Sequence, residues 1–260
     1  MRIRASASAR ASPRRRLVTS RTAVKAPGVV SPSRPRRGLA RLFRPAWIPI
    51  LRRTKPLSGV WGWDRGAPVD RYYIEKFLDQ HRRHIRGHVL EVGDSRYTGH
   101  FGSGVVSSDV LDISAANPQA TIVADLALTD ALPESAFDCF ILVQTLQYVF
   151  DLEAAVREIH RTLKPGGVLL CTLPSVTRIG SRYLANDFWR FTPASARGLF
   201  RDVFGAAIEV TSVGNLLACT AFLAGLAAEE VSEKKLRVSD PYFPLLVTVS
   251  ARKSSGPEAV

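Results

Sequence analysis

Polar and acidic residues follow a series of apolar runs between positions 88 and 174, and such residues suit recognition of a nucleoside-like ligand. Each run is short, rich in Val, Ile, Leu or Phe, and bounded by turn residues, which is typical of a parallel strand buried on both faces. The runs are 88–93, 105–109, 137–143 and 167–174. Ligands of open α/β sheets bind beyond the carboxyl ends of the strands, so we expect the residues that follow these strands to meet in one crevice. They are Gly93, Asp109, Asp125 and Gln144.

The turn after the first run could hold a carboxylate group. It has the sequence Glu91-Val92-Gly93-Asp94-Ser95. Gly93 would let the backbone approach a ligand closely, because glycine has no Cβ atom. Backbone N–H groups of such a turn can bind an anion.

An acidic residue at the end of the second run could bind a ribose, because one carboxylate can accept hydrogen bonds from both hydroxyls. Asp109 and Asp112 are the two candidates. We prefer Asp109, which directly ends the apolar run, although Asp112 lies nearer the usual spacing of about 20 residues after the turn. Alternatively, either carboxylate caps a turn.

Asp125 and Leu126 follow a further apolar pair and could bind an adenine ring. The carboxylate would accept from the amino group while the leucine packs on the ring. The alternative is that Asp125 caps a helix or turn. Gln144, at the end of the third of the four runs, should face the same crevice.

The surrounding pattern predicts the elements that would position these residues. An amphipathic helix with apolar positions 73, 74, 77, 78 and 85 should precede the first strand, after a Gly- and Trp-rich loop at 57–70 that could act as a lid. A second helix, 152–163, has Asp151 as its N-cap, and a third begins at Thr192-Pro193. Residues 208–213 and 244–249 could form a strand pair at the sheet edge, and 216–236 is a further helical region.

The charge of the chain is concentrated at its N-terminal end. Of 36 Lys and Arg residues, 16 lie in residues 1–63, which contain no acidic residue; residues 64–260 carry 20 basic and 23 acidic residues. Residues 1–56 are also rich in Ser, Ala and Pro, so we predict a disordered basic arm. A solvated extension is the preferred interpretation, with organelle targeting and contact with nucleic acid or membrane as alternatives.

Cysteine usage and hydropathy indicate a cytoplasmic protein without a membrane span. The three cysteines, Cys139, Cys171 and Cys219, form no C-x-x-C pair, and two lie in predicted strands, which favours structural thiols in a reducing compartment. The longest apolar stretch, 216–228, has 13 residues and is too short to cross a bilayer. We predict no metal site, and the sequence leaves the oligomeric state open.

The motifs in this order resemble those of class I S-adenosylmethionine-dependent methyltransferases, in particular the bacterial small-molecule, type 11-like group. The resemblance covers about residues 70–215. It is carried by residues 89–93 (VLEVG), 124–126 (ADL), 132–138 (LPESAFD), 158–167 (EIHRTLKPGG) and 188–193 (FWRFTP).

The resemblance implies a Rossmann-like α/β fold with a mostly parallel seven-stranded sheet, an antiparallel edge strand and helices on both faces. It implies S-adenosylmethionine as the cofactor and methyl transfer to a small-molecule acceptor, for which we suggest a sugar or glycan precursor. By position, Glu91 and Gly93 match the motif that holds the methionine part, Asp109 or Asp112 the ribose acid, and Asp125 with Leu126 the adenine-binding pair.

The predicted domain spans residues 57–254, followed by a tail at 255–260. Within the domain we expect a lid and helix at 57–86, a cofactor-binding core at 87–175, and acceptor-side elements with the closing strands at 176–254. No catalytic residue is assigned. A sulfonium methyl is already activated, so much of the rate can come from placing donor and acceptor in line, and a base is needed only if the nucleophile must lose a proton.

Three other functions remain open. Ser95 and Tyr97 stand where the family has glycines, and Tyr148 stands where many relatives have a histidine, which favours a methyltransferase-like interaction module with weak or no activity. An RNA methyltransferase is a narrower form of the main hypothesis, but the near-neutral domain does not favour it. A nicotinamide oxidoreductase would require a G-x-G-x-x-G turn, which the sequence lacks.

Overall fold

The computed structural model describes residues 53–181 and 183–256. Most of the predicted basic arm and residues 257–260 of the predicted tail lie outside the described residues. The described chain is built on one seven-stranded sheet. In chain order the strands are β1 (Gly87–Val92), β2 (Val105–Asp112), β3 (Ile122–Val123), β4 (Phe137–Val143), β5 (Leu163–Pro174), β6 (Ile208–Val213) and β7 (Leu246–Arg252).

The strand order is β3-β2-β1-β4-β5-β7-β6. All pairs from β3 to β5 are parallel, whereas β7 is antiparallel to both of its neighbours, β5 and β6. The order reverses direction between β1 and β4, which is where open α/β sheets form a ligand crevice. The predicted mostly parallel α/β sheet with an antiparallel strand at its edge region is confirmed, and the predicted pairing of 208–213 with the last strand is present.

Helices cover both faces of the sheet. One face packs against α1 (Val69–Gln80), α2 (Arg96–Phe101) and α5 (Leu216–Ala224), and the other against α3 (Leu152–Thr162) and α4 (Pro193–Phe204). A short helix, α6 (Glu233–Leu236), follows α5. Alternate residues along the central strands face opposite helical layers, which explains their continuously apolar sequences.

Side-chain caps set the starts of three of these helices. Asp151 accepts a hydrogen bond from the Ala154 amide at the start of α3, and Asn215 accepts one from the Ala218 amide at the start of α5. Thr192 and Ser195 form a reciprocal capping box, with Pro193 in the first turn of α4. The predicted helix starts at 152 and 193 are confirmed. The predicted helical region 216–236 is interrupted, because Gly225 ends α5 in the left-handed conformation.

The second strand differs from its prediction. It continues to Asp112, three residues beyond the predicted end, and its first half is not buried on both faces: Val106 is 87% exposed. The connections 113–121 and 124–136, both fully described, contain no helix. Because no crossover helix covers this edge of the sheet, only the last part of β2 enters the core.

Candidate active site

The carboxyl ends of four adjacent parallel strands bring most of the predicted binding residues to one edge of the sheet. Gly93 follows β1, Asp112 ends β2, Asp125 lies two residues after β3, and Gln144 follows β4. These strands are neighbours in the order β3-β2-β1-β4. Three of the four expected residues, Gly93, Asp125 and Gln144, therefore follow strand ends at this edge, and Asp112 rather than Asp109 ends β2.

The turn after β1 leaves its backbone open to a ligand. Gly93 has a φ of +87°, and a Cβ atom built there would meet nothing within 4 Å. The carbonyl oxygen of Gly93 accepts a hydrogen bond of 2.7 Å from Nδ2 of Asn117. The same nitrogen lies 2.7 Å from Oδ2 of Asp112, so Asn117 joins the turn to the end of β2.

Asp112 has the geometry expected of a ribose-binding acid. It is half-buried at the last position of β2, where Oδ1 accepts from the Ser114 amide at 2.8 Å and Oδ2 from Asn117. Each carboxylate oxygen has a second lone pair, so both can accept a further hydrogen bond. Asn117 was missed by the sequence analysis. Asn117-Pro118 marks a turn, but nothing in the sequence indicates its contact with Gly93.

Asp109 does not lie at the end of its strand. It lies within β2 opposite Leu90, its Oδ2 is 2.6 Å from Nε2 of His88, and its Oδ1 accepts from the Thr121 hydroxyl at 2.6 Å. Partial burial acts to raise the pKa of Asp109, but the hydrogen bonds from Thr121 and His88 outweigh it and hold the pKa below its usual range. The prediction that the second strand ends at Asp109 is wrong, and this carboxylate links two strands and a loop.

Glu91 organises the start of α2 from the middle of the site. Its side chain is buried, and its carboxylate accepts hydrogen bonds from the Tyr97 amide, the Thr98 amide and the Thr98 hydroxyl at 2.7–3.0 Å. Burial raises the pKa of Glu91 although these hydrogen bonds oppose the shift. Both oxygens are used within the protein, so Glu91 shapes the turn that follows β1.

Asp94 and Ser95 connect that turn to α2. Oδ1 of Asp94 accepts from the Arg96 amide at 3.0 Å, and Oδ2 lies 3.4 Å from the Arg96 guanidinium. Ser95 is the N-cap residue of α2, but its side chain makes no capping hydrogen bond. Both residues are only partly buried and border the crevice.

The residues expected at the adenine end lie on a loop. Oδ1 of Asp125 accepts from the Ala127 amide at 2.9 Å, and Leu126 is buried in the core against the α3 and α4 face. Across the crevice, Gln144 adopts a left-handed backbone conformation with a φ of +50°, and its amide donates to the Thr172 carbonyl at 3.0 Å. The side chain of Gln147 donates to the Gln144 carbonyl and holds this turn.

The lead-in loop and the segment after β5 meet on the side of the sheet away from β3. The lead-in loop packs on the segment after β5, where Nε1 of Trp61 donates to the Thr177 hydroxyl at 3.3 Å. In the same segment the ring of Tyr183 lies 4.4 Å from that of Tyr148, and Nε1 of Trp189 donates to the Val149 carbonyl. The predicted loop before α1 is confirmed.

The polar side chains near these segments are engaged with the protein. Arg190 forms an ion pair of 2.5 Å with Asp187. Burial raises the pKa of Tyr148, with a smaller opposing effect of the Gln147 side chain. His160 packs edge-on against Phe204 between α3 and α4. The described residues include no His, Cys, Asp and Glu cluster that could hold a metal ion, and none of their helices is long and apolar enough to span a membrane.

Comparison with known proteins gives one family match. Residues 102–171, from the end of α2 into β5, match the sequence model of the family described as "Methyltransferase domain". No curated protein sequence matches the chain.

Several solved structures are similar to the chain at low sequence identity. A SAM-dependent methyltransferase from Archaeoglobus fulgidus is 14% identical (TM-score 0.47, 70% of this chain and 94% of that chain). One from Mesorhizobium loti is 19% identical (TM-score 0.43, 71% and 98%). The Burkholderia thailandensis 1,6-didemethyltoxoflavin-N1-methyltransferase, solved with 1,6-didemethyltoxoflavin and S-adenosylhomocysteine, is 15% identical (TM-score 0.48, 70% and 77%).

The family match covers β2, β3, β4 and most of β5, and it begins after β1 and the turn at Gly93. It includes the sequence motifs at 124–126, 132–138 and 158–167. The prediction of a class I S-adenosylmethionine-dependent methyltransferase is therefore supported by a methyltransferase-family match over residues 102–171.

Proposed function

We propose that the chain transfers the methyl group of S-adenosylmethionine to a small-molecule acceptor bound beneath the lead-in loop and the segment after β5. The observation that carries this proposal is the meeting of Gly93, Asp112 and Asp125 at the carboxyl ends of three neighbouring strands. A turn with open backbone and two spaced carboxylates suits a ligand with an amino-acid end, a ribose and an amino-bearing base.

Each part of the cofactor would have its own residues. Gly93, Asp94 and Ser95 would border the methionine part, Asp112 would accept from the ribose hydroxyls, and Asp125 would accept from the adenine amino group. Leu126, which is buried in the core, would anchor the loop that carries Asp125. Gln144 would line the opposite wall. Asp109 would not contact the ligand, because it lies three residues before the carboxyl end of β2, where its oxygens contact His88 of β1 and Thr121. Glu91 would act indirectly, by fixing the turn.

Catalysis in this site would depend on placement. The bound cofactor supplies a sulfonium methyl group that is already activated, so the protein must hold the acceptor in line and exclude water. Tyr148, which follows β4, is a candidate proton-transfer group, but burial raises its pKa, so the phenol stays protonated near neutral pH and can donate a hydrogen bond. The carboxylate of Asp187 is paired with Arg190. We therefore assign no general base.

For the acceptor, we propose a sugar or glycan precursor. Four aromatic residues lie on the segments that follow β4 and β5: Tyr148, Tyr183, Phe188 and Trp189. Aromatic faces suit flat, partly apolar surfaces such as those of a sugar ring, which supports a sugar or glycan precursor as the acceptor. Buried, unpaired thiols at Cys139, Cys171 and Cys219 support a cytoplasmic location.

One observation favours the second candidate, a module that binds little or no cofactor. Tyr97 occupies a position where the family has glycine, and its ring is buried beside the turn after β1. A side chain of this size restricts the approach of a ligand to the first turn of α2.

Calorimetric titration of S-adenosylmethionine and S-adenosylhomocysteine into the full chain tests the proposal. We expect micromolar binding, abolished by Asp112→Ala and Asp125→Ala in variants that keep the wild-type melting temperature. A folded wild-type protein that binds neither ligand would refute the methyl-transfer proposal and favour the interaction module. If binding is found, methyl transfer to a panel of sugar and glycan precursors tests the acceptor class.

A further inference from the structure

The proposed cofactor site is acidic, and it lacks a group to neutralise the carboxylate at the methionine end of the ligand. Its charged members Glu91, Asp94, Asp112 and Asp125 all carry carboxylates. The first amides of α2 would ordinarily serve as donors to an anion. Two of them, at Tyr97 and Thr98, already donate to Glu91. A carboxylate bound here therefore needs a cation from another part of the chain.

Arg71, in the first turn of α1, is a cation with unused donors beside this turn. The side chain is only 20% exposed, and Nη1 donates to the Tyr97 hydroxyl at 2.6 Å. Its Nε atom is buried and has no hydrogen-bond partner among the described residues. The nearest carboxylate oxygen, Oδ1 of Asp70, lies 4.0 Å away, which is too far for a hydrogen bond. A buried guanidinium left with a free donor is unfavourable unless a ligand completes it.

The contacts of Trp63 extend this cluster to the turn after β1. The guanidinium of Arg71 lies 5.9 Å from the Trp63 ring centroid, and that of Arg96 lies 6.0 Å from it. Arg96 in turn contacts Asp94. The lead-in loop, the first turn of α1 and the start of α2 therefore meet where the methionine part would lie.

Arg96 is less suited than Arg71 to bind the ligand. Its side chain is 53% exposed, and its guanidinium already contacts the Asp94 carboxylate. The neighbour of Arg71, Asp70, is buried, which raises its pKa, and its nearest oxygen is 4.0 Å from Nε of the arginine, too far for a hydrogen bond. Of the two arginines beside Trp63, Arg71 is therefore better placed to pair with a bound anion.

We propose that Arg71 binds the carboxylate of the methionine part of the cofactor, and that the Tyr97 hydroxyl holds the guanidinium in position. This inference rests on the proposed function, because it assumes that S-adenosylmethionine occupies the crevice. It also explains why a tyrosine could stand at position 97, where the family has a glycine. The Tyr97 side chain narrows the turn after β1, but its hydroxyl orients the Arg71 guanidinium. An arginine is suited to this task because its planar donors match a carboxylate.

A pair of ligands that differ only in the carboxylate tests the assignment. S-adenosylhomocysteine and its decarboxylated analogue, S-adenosyl-3-thiopropylamine, are titrated into full-length wild type, Arg71→Gln, Arg71→Lys and the matched control Arg96→Gln. Thermal melting confirms that each variant is folded. We expect Arg71→Gln to weaken binding of S-adenosylhomocysteine by about tenfold or more and binding of the analogue by less than about threefold.

The remaining results distinguish the role of Arg71 from the existence of the cofactor site. Arg71→Lys should fall between wild type and Arg71→Gln for S-adenosylhomocysteine, and Arg96→Gln should resemble wild type for both ligands. Equal losses for both ligands in folded Arg71→Gln and Arg71→Lys, or no loss for either, would overturn the role of Arg71 while leaving the cofactor site intact. A wild-type protein that binds neither ligand would overturn the cofactor site, and the assignment of Arg71 with it.

Discussion

Nε2 of His88 lies 2.6 Å from Oδ2 of Asp109, across the parallel pairing of β1 and β2. The second oxygen of this carboxylate accepts from Thr121, which begins the approach to β3. One acidic side chain therefore joins two strands and the connection to a third. These contacts explain why an acidic residue lies inside β2. They also distinguish Asp109, which contacts neighbouring segments, from Asp112 at the end of the same strand.

The two acids should respond differently to removal of their charge. We expect Asp112→Asn to weaken S-adenosylhomocysteine binding by tenfold or more, because the amide loses one acceptor for the ribose hydroxyls. Asp109→Asn should change the dissociation constant by less than about threefold and lower the free energy of unfolding by about 1 kcal/mol. Calorimetry and urea unfolding of both variants measure these effects. The reverse pattern would restore Asp109 as the ribose acid.

Asp109 should also make stability depend on pH. Its pKa is lower in the folded protein than in the unfolded chain, because the hydrogen bonds from Thr121 and His88 favour the charged form over the effect of burial. Its contribution is complete above the unfolded value of about 3.9 and is lost as the pH falls through the folded pKa. The difference in unfolding free energy between wild type and Asp109→Asn should therefore shrink between pH 6 and pH 3. A constant difference over this range would contradict the assignment.

A matched control can distinguish the conformational role of Gly93 from its role in ligand binding. Gly93 and Gly205 both have positive φ angles, +87° and +65°, and open space where a Cβ atom would stand. Substitution of either by alanine should lower the unfolding free energy by about 1–2 kcal/mol. Only Gly93→Ala should also weaken S-adenosylhomocysteine binding, by tenfold or more. Equal affinity in the two variants would remove Gly93 from the site.

Glu158 should be among the most important polar residues for stability. Its buried carboxylate accepts from the Asp130 and Leu132 amides and pairs with Arg161 at 2.7 Å. We expect Glu158→Gln to lower the unfolding free energy by about 2–3 kcal/mol, because the arginine and one amide lose a charged acceptor. Urea unfolding measures the change. Exposed Glu153, which pairs with Arg157 one turn apart on the same helix, is the control, and Glu153→Gln should cost less than about 0.5 kcal/mol.

Local patterns in the sequence identified most of the fold. Continuous apolar runs located β1 and β4, and capping residues located the starts of α3 and α4, because these signals depend on neighbours in the chain. The end of β2 was misplaced because Asp109 interrupts the apolar run, and its partners His88 and Thr121 are 21 and 12 residues away. A polar residue with distant partners looks like a strand end in sequence.

The site was predicted unevenly for the same reason. Gly93, Asp125 and Gln144 follow strands that the pattern identifies, so their convergence follows from parallel topology. The hydrogen bond from Asn117 to Gly93 and the contact of Arg71 with Tyr97 each join segments more than 20 residues apart. Such contacts depend on how loops and helices pack, and residue types alone do not reveal them.

The helix-free connections around β3 should make this edge of the sheet the part that opens most often. Asp112, Asn117, Asp125 and Leu126 all lie on this thinly covered side, whereas helical layers cover both faces of the central strands. Segments with few buried contacts open most readily, so this edge should exchange its amide hydrogens fastest in the empty protein. A ligand that binds only the closed edge raises its stability in proportion to the logarithm of ligand concentration. If S-adenosylmethionine and S-adenosylhomocysteine bind with different affinities, their ratio in the cell would change how often this edge opens. If they bind equally well, the ratio would have no effect.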